Sequence, residues 1–176
     1  MPVLQSAIEP SSEAFATHRA EMLALVAAVR DAEARVRAHS DKARAKFEKR
    51  GQLLPRERVA RLLDPGSVFV ELSTLAGFGM HDDDGKKNVA GGGNIIGIGF
   101  VGGVRCMITA NNAAIKGGSI TPMGLQKSLR AQEISLKQRL PAISLVESGG
   151  ANLLHQSEIF VDGGRVFCNM ARLSAA

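Results

Sequence analysis

Residues 145–153 read LVESGGANL, which places a carboxylate, a hydroxyl and two consecutive glycines directly after an apolar run. Gly149 and Gly150 lack a β-carbon, so the backbone there can take dihedrals closed to other residues, and a second molecule can come close to its N–H groups. The residues alone leave two readings open: a plain turn between elements, or a place where backbone amides meet a small ligand. Ser148 raises the question of serine hydrolysis. The G-x-S-x-G pattern is absent around it, and no histidine can be assigned as its base, although His155 lies a turn or two downstream. With no side-chain nucleophile, the remaining chemistry belongs to the backbone. If AISLV (142–146) is a strand and a helix starts near Gly150, the amides of residues 149–151 emerge from a helix N-terminus. Unpaired donors and the helix dipole favour negative charge at such a place, and this arrangement can stabilise an oxyanion.

A second glycine pair points the same way. ITANNAAIKGGSITP (108–122) runs from a strand through asparagine-rich turn chemistry to Lys116-Gly117-Gly118 and then into a capped helix. Two such turns can flank one thioester. Other candidate motifs lack the context they need. GIGFVG (97–102) fits G-x-G-x-x-G, but its glycines fall in a strand and its hairpin, with no helix following to meet a pyrophosphate. HDDDGKK (81–87) puts His81 beside Asp82, Asp83 and Asp84 without the spacing of a calcium loop, and it reads as a solvated loop. Cys106 and Cys168 are too far apart for a metal pair and read as buried small hydrophobes, so no metal site is assigned.

These turns need elements to hold them. Residues 12–50 contain neither proline nor glycine, and Phe15, Met22, Val29, Val36 and Ala43 recur every seven residues, which predicts one long amphipathic helix capped by Gly51. Pro55 opens a short helix that Asp64-Pro65-Gly66 closes. The period then changes. VFVEL (68–72), NIIGIGF (94–100), VRCMITA (104–110) and AISLV (142–146) read as four strands, with Gly102-Gly103 as a type I′ hairpin turn between the second and third. Thr121-Pro122 starts a helix running through about Arg139, with Leu125, Leu129, Leu136 and Leu140 on one face. Beyond Gly150 the chain reads as helical, with Phe160, Val161, Val166, Phe167 and Met170 as apolar positions.

Composition narrows the class. The chain has 176 residues, of which 45% are hydrophobic and 22% charged, a globular balance long enough for a real core. It carries no basic-then-apolar leader and no run long enough to span a bilayer, so a cytoplasmic protein without a membrane role is expected. Eight basic against three acidic residues lie between Asp41 and Arg61, a segment that can hold phosphate or contact nucleic acid, or be a solvated helix face as most charge runs are. Only Phe47 offers an aromatic ring there, and the chain has no Tyr or Trp, which argues against nucleic acid.

The pieces RERVARLLDPGSVFVELS, AGGGNIIGIGFVGGVRCMITANNAAIKGGSITP, LRAQEISLKQRLPAISLVESGGANL and FCNMARLSAA resemble, in order and spacing, the N-terminal half of the carboxyltransferase (β) subunits of biotin-dependent acyl-CoA carboxylases. The resemblance runs from about Pro55 to Ala176 and is greatest to the methylcrotonyl-CoA and geranyl-CoA branch, with the propionyl-CoA enzymes in the same family. It implies an α/β, ClpP/crotonase-like ββα-superhelix. Residues 1–66 would be a helical arm and 67–176 an incomplete acyl-CoA-binding N-domain. It also implies carboxybiotin supplied by a biotin carboxylase and biotin carrier partner, acyl-CoA as substrate, and a homo-oligomer of carboxyltransferase subunits. Gly149 and Gly150 match the pair whose amides face the thioester enolate oxygen. Lys116, Gly117, Gly118, Arg56 and Arg58 are expected to hold coenzyme A, the charged ones because they sit at element ends where a nucleotide tail can cross. Two positions depart from the family: Asn112 stands where many relatives have Asp, and Glu147 replaces the commoner Asp before Ser-Gly-Gly. The alternative is a fragment without catalysis that binds coenzyme A or forms oligomers.

Overall fold

The computed structural model describes residues 6–80 and 90–176. HDDDGKK lies outside them. The described chain divides into two compact units, Met1–Arg35 and Val36–Ala176.

The expected long N-terminal helix is present in two pieces. The first, α1, spans Glu13–Asp41; after a break at residues 42–43, α2 continues over Arg44–Lys49. Gly51 then takes a φ of 65°, as the expected C-terminal cap requires. Helix α3 (Pro55–Leu62) starts at its proline, and the Glu57 carboxylate accepts the Leu54 N–H at 3.1 Å, so an unpaired donor of the first turn is satisfied.

Four strands form one mixed sheet in the order β1-β2-β3-β4: β1 (Val70–Glu71), β2 (Asn94–Val101), β3 (Val104–Asn111) and β4 (Ala142–Leu145). The first three pair antiparallel and β4 runs parallel to β3. Gly102 and Gly103 have φ of 59° and 77°, the double positive φ of the expected two-residue turn. Their N–H groups donate to the two carboxylate oxygens of Asp64, each at 2.7 Å, which ties the end of the α3 segment to the hairpin.

Strand alternation sorts the core into two faces. Ile95, Cys106, Ile108 and Ala110 face Val59, Leu62 and Leu63 of the α3 segment. Ile96 and Met107 face the other way, against Ala131 of α4 (Pro122–Gln138) and against Leu140. Residues 55–63 therefore pack as a layer of the sheet unit, so the sequence-based boundary at residue 66 falls inside the second compact unit. In GIGFVG, Gly97 and Gly99 are packing positions and Gly102 belongs to the hairpin turn. A Cβ on Gly97 would lie 2.4 Å from the Phe69 ring and one on Gly99 would lie 2.3 Å from Leu63. Helix α5 (Gln156–Ser174) lies beside α4, with Gln126 of α4 donating to the Asp162 carboxylate. Cys106 is buried as expected. Cys168 is exposed, on the wall of an open cleft that Glu133 and Lys137 of α4 and Arg172 of α5 also line.

Candidate functional site

Both glycine pairs sit where the chain leaves the sheet, one after β3 and one after β4. After β3, a single 3-10 turn holds Lys116-Gly117-Gly118, with positive φ of 45°, 64° and 73° at the three residues. After β4, Gly150 takes a φ of 89° in an exposed turn. Strands β3 and β4 are parallel neighbours, so their ends fall together and the two turns lie side by side. The contact is backbone against backbone. A Cβ on Gly118 would stand 2.2 Å from the Glu147 carbonyl oxygen, and one on Gly149 would stand 3.1 Å from the Gly117 carbonyl oxygen. Only glycine permits this approach at position 118. Just beyond, the Ile120 N–H donates to the Gly150 carbonyl at 2.8 Å and the Asn152 N–H donates to the Ile120 carbonyl at 3.1 Å. These bonds close a parallel bridge between Ile120 and Ala151.

One expectation about this turn is corrected. Helix α5 starts at Gln156, after a 3-10 turn at Leu153–His155, so residues 149–151 are not a helix N-terminus. Residues 150–152 are committed to the bridge with Ile120, and the chain turns helical only once free of it. The Gly150 N–H donates to the Ser148 hydroxyl at 3.0 Å. Ser148 thus caps its own turn, and its hydroxyl is an acceptor that a ligand oxygen can replace.

A third glycine turn supports the other two. Gly91, Gly92 and Gly93 all have positive φ, and their carbonyls are met by donors from three directions. The Lys127 ammonium donates to Gly91 O at 3.1 Å and to Asn94 O at 2.9 Å, the Thr121 hydroxyl to Gly92 O at 3.0 Å, and the Asn112 N–H to Gly93 O at 2.9 Å. Thr121 also accepts the Gly124 N–H at 3.0 Å, so the N-cap expected for α4 is also a strut to this turn. Lys127 is only 4% exposed, and its pKa falls to about 8: burial lowers it, Glu71 raises it and Arg56 lowers it further. Neither the lysine nor the triple-glycine turn was singled out from the sequence. Three adjacent glycines, which make a poor strand and a poor helix, are the signal that could have found them.

The charged residues expected near coenzyme A separate. Lys116 is exposed on the 3-10 turn beside Gly117 and Gly118. Both terminal nitrogens of Arg56 are taken by the Glu71 carboxylate, at 2.7 and 2.9 Å. Arg58 donates to the Glu147 carboxylate at 2.9 Å, on the wall of a cleft of about 310 Å³ that Gln52, Leu53 and Val146 also line. In the same basic segment, Arg44 pairs with Asp41 and Glu57.

Comparison with known proteins identifies the family. The family model described as the carboxyl transferase domain matches residues 46–176. The biotin-dependent 3-methylcrotonyl-coenzyme A carboxylase beta1 subunit of Mycobacterium tuberculosis is 52% identical over 139 residues, covering 77% of this chain and 26% of that protein. The probable methylcrotonoyl-CoA carboxylase beta chain of Drosophila melanogaster is 44% identical over 177 residues, covering 98% of this chain and 30% of its own length. The crystal structure of the P. aeruginosa geranyl-CoA carboxylase beta subunit superposes with a TM-score of 0.89 at 54% identity, over 99% of this chain and 32% of that one. The chain thus spans less than a third of the length of these relatives. The family match over residues 46–176 and the similarity to these relatives lead to one conclusion: the chain belongs to the carboxyl transferase domain family.

Proposed function

We propose that this chain forms the acyl-CoA-binding part of a carboxyltransferase in a biotin-dependent acyl-CoA carboxylase, and that the paired glycine turns hold the thioester. The carrying observation is the contact between them, Gly118 on Glu147 and Gly149 on Gly117. In the reaction, a proton passes to the partner's biotin ring from the carbon next to the thioester carbonyl, or from the vinylogous γ-carbon of a 3-methylcrotonyl or geranyl group, and the carbonyl oxygen gains negative charge. The resulting enolate carbon then bonds to the carboxyl carbon. The amides of Gly149 and Gly150 supply the oxyanion donors, with the thioester oxygen displacing the Ser148 hydroxyl from Gly150. The neighbouring Lys116-Gly117-Gly118 turn lies against coenzyme A, and Lys116 provides positive charge for its phosphates. Preorganised donors of this kind act on charge that develops only in the transition state.

Carboxybiotin, arriving on a biotin carrier partner charged by a biotin carboxylase, would supply the carboxyl group by cleavage of its N–carboxylate bond to CO2, and the ureido nitrogen so freed would take the substrate's proton. No described residue needs to act as a nucleophile in this scheme. Residues 67–176 correspond in this reading to part of a crotonase-like ββα-superhelix, with the preceding helices as an arm, in a homo-oligomer working in the cytoplasm. Arg56 and Arg58 were expected to add to the phosphate contacts. Their carboxylate partners give each a positioning task first.

The reading is tested with the full-length subunit assembled with its biotin partners. Label from bicarbonate is followed into acid-stable product with 3-methylcrotonyl-CoA, geranyl-CoA and propionyl-CoA. Transfer to at least one supports it; transfer to none, while the biotin carrier is carboxylated, overturns it.

A further inference from the structure

We infer that Arg58 and Glu147 form a positioning pair that fixes the Ser148-Gly149-Gly150 turn, and that Arg58 serves turnover through this pair rather than by holding the phosphates of coenzyme A. The inference rests on the reading of that turn as the oxyanion site. Glu147 is held from three sides. Its N–H donates to the Asn111 side-chain oxygen at 3.3 Å, at the end of β3. Its carbonyl oxygen is packed on Gly118. Its carboxylate accepts from Arg58 of α3 at 2.9 Å, a bond between residues 89 apart in the chain.

Of the residues that follow, Gly150 is held through its carbonyl, which accepts the Ile120 N–H at 2.8 Å, while Ser148 and Gly149 have no side-chain anchor outside the turn among the described residues. Gly149 and Gly150 carry no side chain, and the Ser148 hydroxyl bonds within its own turn. Glycines have the most conformational freedom to lose on ordering, so the direction of their amides is set by what flanks them. Downstream, the flank is the Ile120–Ala151 bridge. Upstream it is Glu147, whose carboxylate pairs with the Arg58 guanidinium, so the pair connects the turn to the α3 layer of the core. Each side chain is about a quarter to a third exposed, at 26% and 30%, so the pair is neither freely screened nor fully desolvated.

The test is a double-mutant cycle in the full-length subunit with Arg58→Ala, Glu147→Gln and both together. Steady-state kinetics, melting curves and hydrogen exchange over residues 148–152 are recorded for each. Misplaced oxyanion donors should lower kcat by about 10²-fold, the penalty typical of an ångström-scale misplacement. KM for acyl-CoA should change little, and the double variant should be no worse than either single one, as coupled residues behave. Amide exchange over 148–152 should rise in all three variants, and Arg58→Lys should recover part of the turnover. The inference is overturned if Arg58→Ala raises KM with kcat unchanged, if the two effects multiply, or if exchange over 148–152 does not move. If the wild-type subunit transfers no carboxyl group, the oxyanion reading has failed, and the exchange measurement still decides whether the pair orders the turn. Should an alanine variant not fold, Arg58→Lys and Glu147→Gln carry the same comparison.

Discussion

Each glycine of the site does a different job, and substitution separates them. Gly118 combines a φ of 73° with a Cβ position only 2.2 Å from a backbone oxygen that cannot rotate away. Gly118→Ala should therefore destabilise the chain by more than the roughly 1–3 kcal/mol expected of a strained dihedral alone, which denaturant unfolding would register. Gly150 has a similar φ of 89° but open space where its Cβ would be, so Gly150→Ala should show only the dihedral penalty. Equal losses at the two positions would mean that the turns are not in backbone contact. The sequence made both pairs visible as glycine doublets, yet it carried no sign of which one is pressed against a neighbour. That distinction depends on β3 and β4 pairing in parallel, a relation between segments more than thirty residues apart.

The helices and turns that position the site were largely legible, because their signals are local. Thr121-Pro122 marks the start of α4, Gly102-Gly103 the hairpin and Pro55 the start of α3. The break between α1 and α2 was not legible, since Lys42 and Ala43 are both good helix formers. The start of α5 was placed too early because the bridge to Ile120 holds residues 150–152 extended. Thr121→Ala removes both a cap and the donor to the Gly92 carbonyl. It should cost about 1–2 kcal/mol for the cap and more for the carbonyl left without its donor, seen as a lowered Tm. Lys127 gives α4 a pH signature. Its pKa is lowered from 10.5 to about 8 in the folded chain, so between these values the unfolded chain holds a proton that the folded one has released. Stability should therefore rise with pH across that window, by at most about 1.4 kcal/mol per unit. Lys127→Met should abolish this slope while leaving the Gly91 and Asn94 carbonyls without their donor. Urea unfolding of both proteins from about pH 7.5 to 10 checks it, and matching slopes would contradict it.

For the whole molecule, the sheet ends at β4 among the described residues, and α5 presents Phe160 and Phe167 at 84% and 73% exposure. Apolar rings in such a row favour association. The 176-residue chain by itself should self-associate at micromolar concentration, and Phe160→Ser with Phe167→Ser should shift it toward monomer in sedimentation. The same chain should bind acyl-CoA without carboxylating it, because it spans less than a third of the length of the relatives it matches and the family resemblance assigns carboxybiotin to a second domain. Site and scaffold meet at the Gly149-Gly150 turn, so the most direct measurement is carboxyl transfer by the full-length assembly carrying Gly150→Val, with acyl-CoA affinity and Tm recorded alongside. A β-branched residue at that φ must redirect the turn, and loss of an oxyanion donor lowers turnover by roughly 10²–10³-fold. The account predicts a fall of that size with acyl-CoA binding and folding retained. Near-normal turnover in a folded variant would contradict it.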